Sequence, residues 1–97
     1  MDGLIVKSDI EDSGTTNITG LTWVRSGNIV TVSAYDVDTT ANVSITGLPK
    51  PKSSYIIGIL LNSSDIVGAI QCISSWSILK IGSGNAHSYG TFTYITE

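Results

Sequence analysis

Charge is what this chain has least of. Only 13% of its 97 residues are Asp, Glu, Lys or Arg, against the roughly 25–35% of a usual soluble surface. The five basic residues, Lys7, Arg25, Lys50, Lys52 and Lys80, are scattered, and the formal charge is -3. Neutralising phosphates needs clustered Lys and Arg, so nucleic acid is not an expected partner. Cys72 is the one cysteine and His87 the one histidine. An internal disulfide is therefore excluded, and the four ligands of a closed zinc site cannot be assembled. No apolar run reaches the roughly 20 residues of a membrane span. Met1-Asp2-Gly3 is acidic and Leu4-Ile5-Val6 is too short for the apolar core of a signal peptide, so no secretory leader is expected. Gly82-Ser83-Gly84 is not followed by a helical pattern, which removes the phosphate-cradle reading, and no cofactor is expected.

What the chain does have is Ile, Val and Thr in abundance, with few Ala, Glu and Leu. Branching at Cβ costs rotamer freedom in a helix and suits a pleated surface, so the composition predicts strands. The strongest local signal runs from Leu21 to Tyr35. Leu21–Arg25 and Ile29–Tyr35 are β-rich and flank Ser26-Gly27-Asn28, the pattern of an antiparallel hairpin. Leu21 and Trp23 share one face, and Val30, Val32 and Ala34 share one across the turn.

Elsewhere the punctuation is equally plain. Residues 1–20 read as a lead-in, with a short strand at Leu4–Val6 and a polar loop from Ser8 to Asn17. Residues 21–97 then form one domain, and Met1 ahead of such a stretch suggests an excised unit. Asp36–Thr40 reads as a loop, and Ala41–Thr46 alternates with Val43 and Ile45 inward. Pro49 and Pro51 end that strand by removing ladder donors. Tyr55–Leu61 and Ile66–Ile73 form a second hairpin around Asn62–Asp65, with Gly58 and Gly68 marking bulges or close backbone approaches. Ser74–Ser77 is a turn, Ile78–Ile81 a short strand, Gly82–Ser88 a flexible loop and Tyr89–Ile95 the closing strand. Seven or eight short strands with short connections fit a sandwich or a barrel. No period of 20–50 residues is present, so a repeat array is excluded.

So short a chain buries only about two-thirds of its unfolded surface. Burying a Val or Ile stabilises by roughly 1.5–3 kcal/mol, and ordering each residue costs about 1.5 kcal/mol. With no disulfide to help, the balance predicts a homo-oligomer.

Three segments resemble a known family. Trp23-Val24-Arg25-Ser26-Gly27-Asn28-Ile29-Val30-Thr31-Val32 is similar to the R-x-G-N-x-V-x-V opening of small C-terminal domains of bacteriophage tail-fibre and baseplate proteins. Ile45-Thr46-Gly47-Leu48-Pro49-Lys50-Pro51 resembles the LP-x-P segment that follows, and Tyr89–Thr96 the closing strand. One departure is Ser75-Trp76-Ser77, where members often carry an Asp-Gly turn. The resemblance implies a small antiparallel, jelly-roll-like β-sandwich forming a homotrimer. It further implies a virion location at the tip of a fibre, and host-surface adhesion through a cell-surface saccharide or protein receptor. The alternatives are a trimerisation or capping knob without a ligand, and an enzyme-associated carbohydrate-binding module.

Little in the chain carries chemistry. Catalysis by His87 would need a converging nucleophile and orienting group, and no Gly-x-Ser-x-Gly elbow is present. A non-enzymatic domain is expected, with His87 a loop residue or a saccharide contact. Asp9, Glu11 and Asp12, like Asp36 and Asp38, fall in predicted loops where turn formation explains them. Asp36-Val37-Asp38 falls well short of the oxygen set of a calcium loop, so no metal is expected. Trp23 reads as core, and Phe92 and Tyr94, on one face of the last strand, as core or subunit interface. Trp76 sits in a serine-rich turn and has two readings, a ring folded over the sheet and a sugar-stacking platform. Tyr35 lies at a strand end beside Asp36 and Asp38, an aromatic next to acceptors. The candidate ligand-binding residues are therefore Trp76, Tyr35, Asp36, Asp38 and His87. Asn17, Asn42 and Asn62 open N-x-Ser/Thr triplets, which arise by chance in a chain this rich in Ser and Thr.

Overall fold

A computed structural model describes residues 11–53 and 55–97, and the strand predicted at Leu4–Val6 lies outside them. The described residues are all β, without a helix. Eight strands follow in chain order: β1 (Glu11–Thr15), β2 (Leu21–Ser26), β3 (Ile29–Val37), β4 (Val43–Ser44), β5 (Ile56–Asn62), β6 (Asp65–Cys72), β7 (Trp76–Lys80) and β8 (Ser88–Ile95). Every pairing is antiparallel, in the order β1-β2-β3-β8-β5-β6-β7-β4.

The predicted hairpin is β2–β3, with Ser26 opposite Ile29 and Leu21 opposite Ala34. Its alternation holds, since Leu21, Val30 and Val32 are fully buried and Ala34 nearly so. The second hairpin is β5–β6, closed by Ser63-Ser64, with Asn62 opposite Asp65. β7 and β4 continue from β6, so β4 to β7 make a Greek key in which β4 lies beside β7 instead of β5. β8 joins the halves, paired to β3 on one side and to β5 on the other.

The expected all-β, antiparallel character holds, and the strands form one hydrogen-bonded sheet that curls around its own inner face. Inward residues of β2, β3, β5, β6, β7 and β8 supply the core, joined by Ile45 just after β4. Asn17 ties the two ends of the sheet together. Its backbone N–H donates to the Thr46 carbonyl (3.2 Å), its Oδ1 accepts the Thr46 N–H (2.8 Å), and its Nδ2 donates to the Ser44 carbonyl (3.0 Å). The Asn62 and Asn42 side chains are likewise used as clips, to the His87 carbonyl (2.6 Å) and the Lys80 N–H (2.7 Å).

Three expectations are corrected. Glu11–Thr15, predicted as loop, is a strand along β2, with Gly14 opposite Trp23. A Cβ there would lie 2.7 Å from the Trp23 ring, so the missing side chain is what lets the indole lie down. Ala41–Thr46 shrinks to a two-residue strand, and Val43 is exposed. Trp76 is not in a turn but opens β7 opposite Cys72 and points inward.

Candidate ligand-binding site

The site grows from a fault in the β3–β8 ladder. From Ile29 opposite Ile95 to Ala34 opposite Gly90 the register is constant, but Val37 then faces Ser88. One extra residue has entered β3, which is a β-bulge, and bulges re-aim side chains. Strict alternation would send Asp36 inward, whereas Tyr35 and Asp36 are both exposed and Val37 is buried. Asp36 takes φ 60°, a left-handed conformation that Asp tolerates better than most residues. Gly20 supports the bulge from β2's side. Its carbonyl accepts the Tyr35 N–H (2.9 Å). With φ at 90° and the Tyr35 carbonyl where a Cβ would stand, the position suits only glycine.

His87 reaches the same place from the loop between β7 and β8. Predicted to be flexible, that loop is clasped by a buried polar knot. The Thr39 N–H donates to the Asn85 carbonyl (2.8 Å), the Asn85 N–H donates back to Thr39 Oγ1 (3.0 Å), and the Thr39 and Ser88 hydroxyls share a bond of 2.9 Å. Both hydroxyl residues have no exposed surface. Beyond the knot the His87 N–H donates to Asn85 Oδ1 (2.9 Å), while its carbonyl accepts from Asn62. The imidazole is thereby carried to Asp36, whose Oδ1 hydrogen-bonds His87 Nδ1.

Two tyrosines complete the constellation. The Tyr89 hydroxyl donates to the same Asp36 oxygen at 3.5 Å, and its ring meets Tyr35 edge-on, 5.4 Å between centroids at 72°. Partial desolvation, then the Asp36 charge, raises the Tyr89 phenol above its ordinary pKa. Asp38 shifts the other way: the Thr40 hydroxyl (2.5 Å) and N–H (2.8 Å) donate to it and hold its carboxyl below the usual range. Asp36 and Asp38 both line an open groove of about 260 Å³, with polar Asn17 and Thr40 and apolar Ile18 and Val43 beside them.

Four of the five sequence candidates, Tyr35, Asp36, Asp38 and His87, thus meet at one end of the sheet. Trp76 does not. Its ring is 7% exposed, with centroids 4.9 Å from Tyr94 and 6.1 Å from Phe92, and offers no free face to a sugar. Tyr89 was missed. Its signal was parity, since it lies two residues after His87 at the head of a strand whose even positions face inward.

Chemically the site offers acceptors and aromatic surface. An Asp–His pair is also the orienting half of a hydrolytic triad. Here the nearest serine in sequence, Ser88, has its hydroxyl in the buried knot with Thr39. Among the described residues no three His, Cys, Asp or Glu side chains are grouped to hold a metal ion. Glu11 and Asp12 stand apart on the edge strand β1, where Asp12 lines a different hollow with Arg25. No family model, curated protein or solved structure matches the chain.

Proposed function

We propose that this domain is a non-catalytic receptor-binding head of the phage tail-fibre or baseplate kind, which holds a host cell-surface saccharide at the bulge. The observation that carries this reading is the convergence of Tyr35 and Tyr89 with Asp36, Asp38 and His87 on two rigidly clasped segments. A sugar presents C–H faces, which pack on aromatic rings, and hydroxyl donors, which need acceptors. Tyr35 is 74% exposed and supplies ring surface. The two carboxylates supply acceptors, and hydrogen bonds to charged groups are the stronger kind. Because Asp36 is fixed by the bulge and His87 by the Thr39 knot, little ordering entropy is lost on binding. A shallow groove at a sheet end suits the tip of a longer saccharide chain.

The test is adsorption to host cells and retention on a glycan array. Tyr35→Ala and Asp36→Asn should each weaken retention about tenfold, which is about 1.4 kcal/mol. No retained glycan and no adsorption by the unaltered domain would refute the reading.

A further inference from the structure

We infer that the outer face of β5, β6 and β7 is an interface for a second copy of this chain. Register puts Ile59, Ala69 and Leu79 side by side in one row across the three strands. Ile57 lies two residues from Ile59 on the same face, and in the other direction Leu61 stands opposite both Ile66 and Tyr89. The face is exposed: Ile57 61%, Ile66 52%, Ile59 45%, and Leu61 and Leu79 close to 40%. Ile81 continues the stripe beyond β7.

Its area is what a stable assembly needs. Together these side chains expose on the order of 500 Å², in the upper part of the range for the largest apolar patch of a monomer. A standard interface takes roughly 800 Å² from each partner, so this stripe and a narrow polar rim would supply one. The molecule as a whole shows the same shortfall of cover. Among the described residues, 14 large apolar side chains are exposed and 14 apolar ones are buried.

Charge and shape select the occupant. The central rows, Ile57–Gln71–Ser77 and Ile59–Ala69–Leu79, contain no ionisable group, so nothing there recruits an oppositely charged partner. A neutral face meets its own copy without the like-charge repulsion that a charged one would suffer. In relief the central row is ridge, dip, ridge. Ala69, small and only 5% exposed, sits between the exposed Ile59 and Leu79. A copy can seat its own Ile59 or Leu79 in that dip. Face against like face gives a two-fold pair, and face against another patch closes a ring of three; both bury the stripe.

Sedimentation equilibrium of the full chain tests this. The unaltered protein should weigh more than one chain at micromolar concentration, and Ile59→Lys and Leu79→Lys should each weaken association by about 100-fold or more. Both positions face solvent within one chain, so unchanged circular dichroism should accompany the loss. Independently, the melting temperature of the unaltered protein should rise with its concentration, as mass action requires. A single-chain mass at ~100 µM, a melting temperature constant over roughly 100-fold dilution, or an oligomer that survives both lysines would overturn the inference.

Discussion

Trp76→Ala separates a core residue from a ligand platform. The indole is 7% exposed against Tyr94 and Phe92, and truncating so large a buried ring typically costs about 3–5 kcal/mol. The two aromatic contacts lie within the range where such pairs add about 0.5–1.5 kcal/mol each, which favours the upper end. One term opposes this. The Trp76 Nε1 is buried with no hydrogen-bond partner, and removing a buried unpaired donor returns about 1–3 kcal/mol. The net expectation is about 3 kcal/mol. For Trp76→Phe, which keeps a ring and removes the unpaired donor, it is about 1 kcal/mol or less. Urea unfolding at fixed protein concentration measures both. With a slope of roughly 1 kcal/mol per molar urea, the alanine variant's midpoint falls by about 3 M. Saccharide retention by Trp76→Phe should equal that of the unaltered domain. A Trp76→Ala protein of unchanged midpoint that no longer binds would refute the argument, because the ring would then be acting at the surface.

Gly58→Ala should destabilise by about 1–3 kcal/mol, because the added Cβ would stand 2.6 Å from Phe92 Cγ. Combining it with Phe92→Leu, which trims the obstructing ring, should recover part of that loss in the same urea assay. Thr39→Val keeps the shape but leaves the Asn85 N–H without its acceptor and the Ser88 hydroxyl with only the Asn85 carbonyl (3.3 Å), at about 1–3 kcal/mol. It should also loosen the His87 loop, seen as faster amide exchange from Gly84 to Ser88. Alkaline pH should unfold the protein through Tyr94. Its hydroxyl donates to the Pro49 carbonyl (2.7 Å), and burial raises its pKa above the ordinary 10.0. The raised pKa gives a contribution that is complete below pH 10 and is lost as pH climbs toward the folded value, at up to about 1.4 kcal/mol per pH unit. Stability measured from pH 9 to 12 should therefore fall more steeply for the unaltered protein than for Tyr94→Phe.

Local pattern carried the fold wherever a strand has one wet face and one dry face. The β2–β3 hairpin is of this kind, and its turn, read as Ser26-Gly27-Asn28, closes at Gly27-Asn28 with Ser26 already in β2. The β5–β6 hairpin was legible instead as two apolar runs around Asn62–Asp65, of which Asn62 and Asp65 belong to the strands. β1 was illegible because Glu11-Asp12-Ser13-Gly14-Thr15 has no apolar residue to alternate. It is a strand because β2 offers it an edge and Trp23 needs a glycine beneath it. Trp76 was obscured by composition, with serines at 74, 75 and 77 suggesting a turn. Trp76-Ser77-Ile78 nevertheless has the dry-wet-dry period of a strand, and Ile78 is fully buried beside it. The curl, and its closure by Asn17, rest on contacts between distant segments and leave no local trace.

The candidate site shows why chemistry-bearing residues were easier to name than to assemble. Tyr35, Asp36 and Asp38 were adjacent in sequence, so their grouping needed no fold. His87 is 51 residues from Asp36, and a period of two offers no reason for them to meet. A regular β3 would place Asp36 on the inner face, among Val37's neighbours, and a carboxylate there would carry a desolvation cost of several kcal/mol. The inserted residue removes that cost by turning Asp36 out and Val37 in, and Gly20 makes the resulting backbone conformation possible. The same shift brings Val37 opposite Ser88. Thr39 then comes level with Ser88 and Asn85, and the clasp between them carries His87 to the carboxylate. One local irregularity therefore keeps the charge in water and also determines which loop residue reaches it.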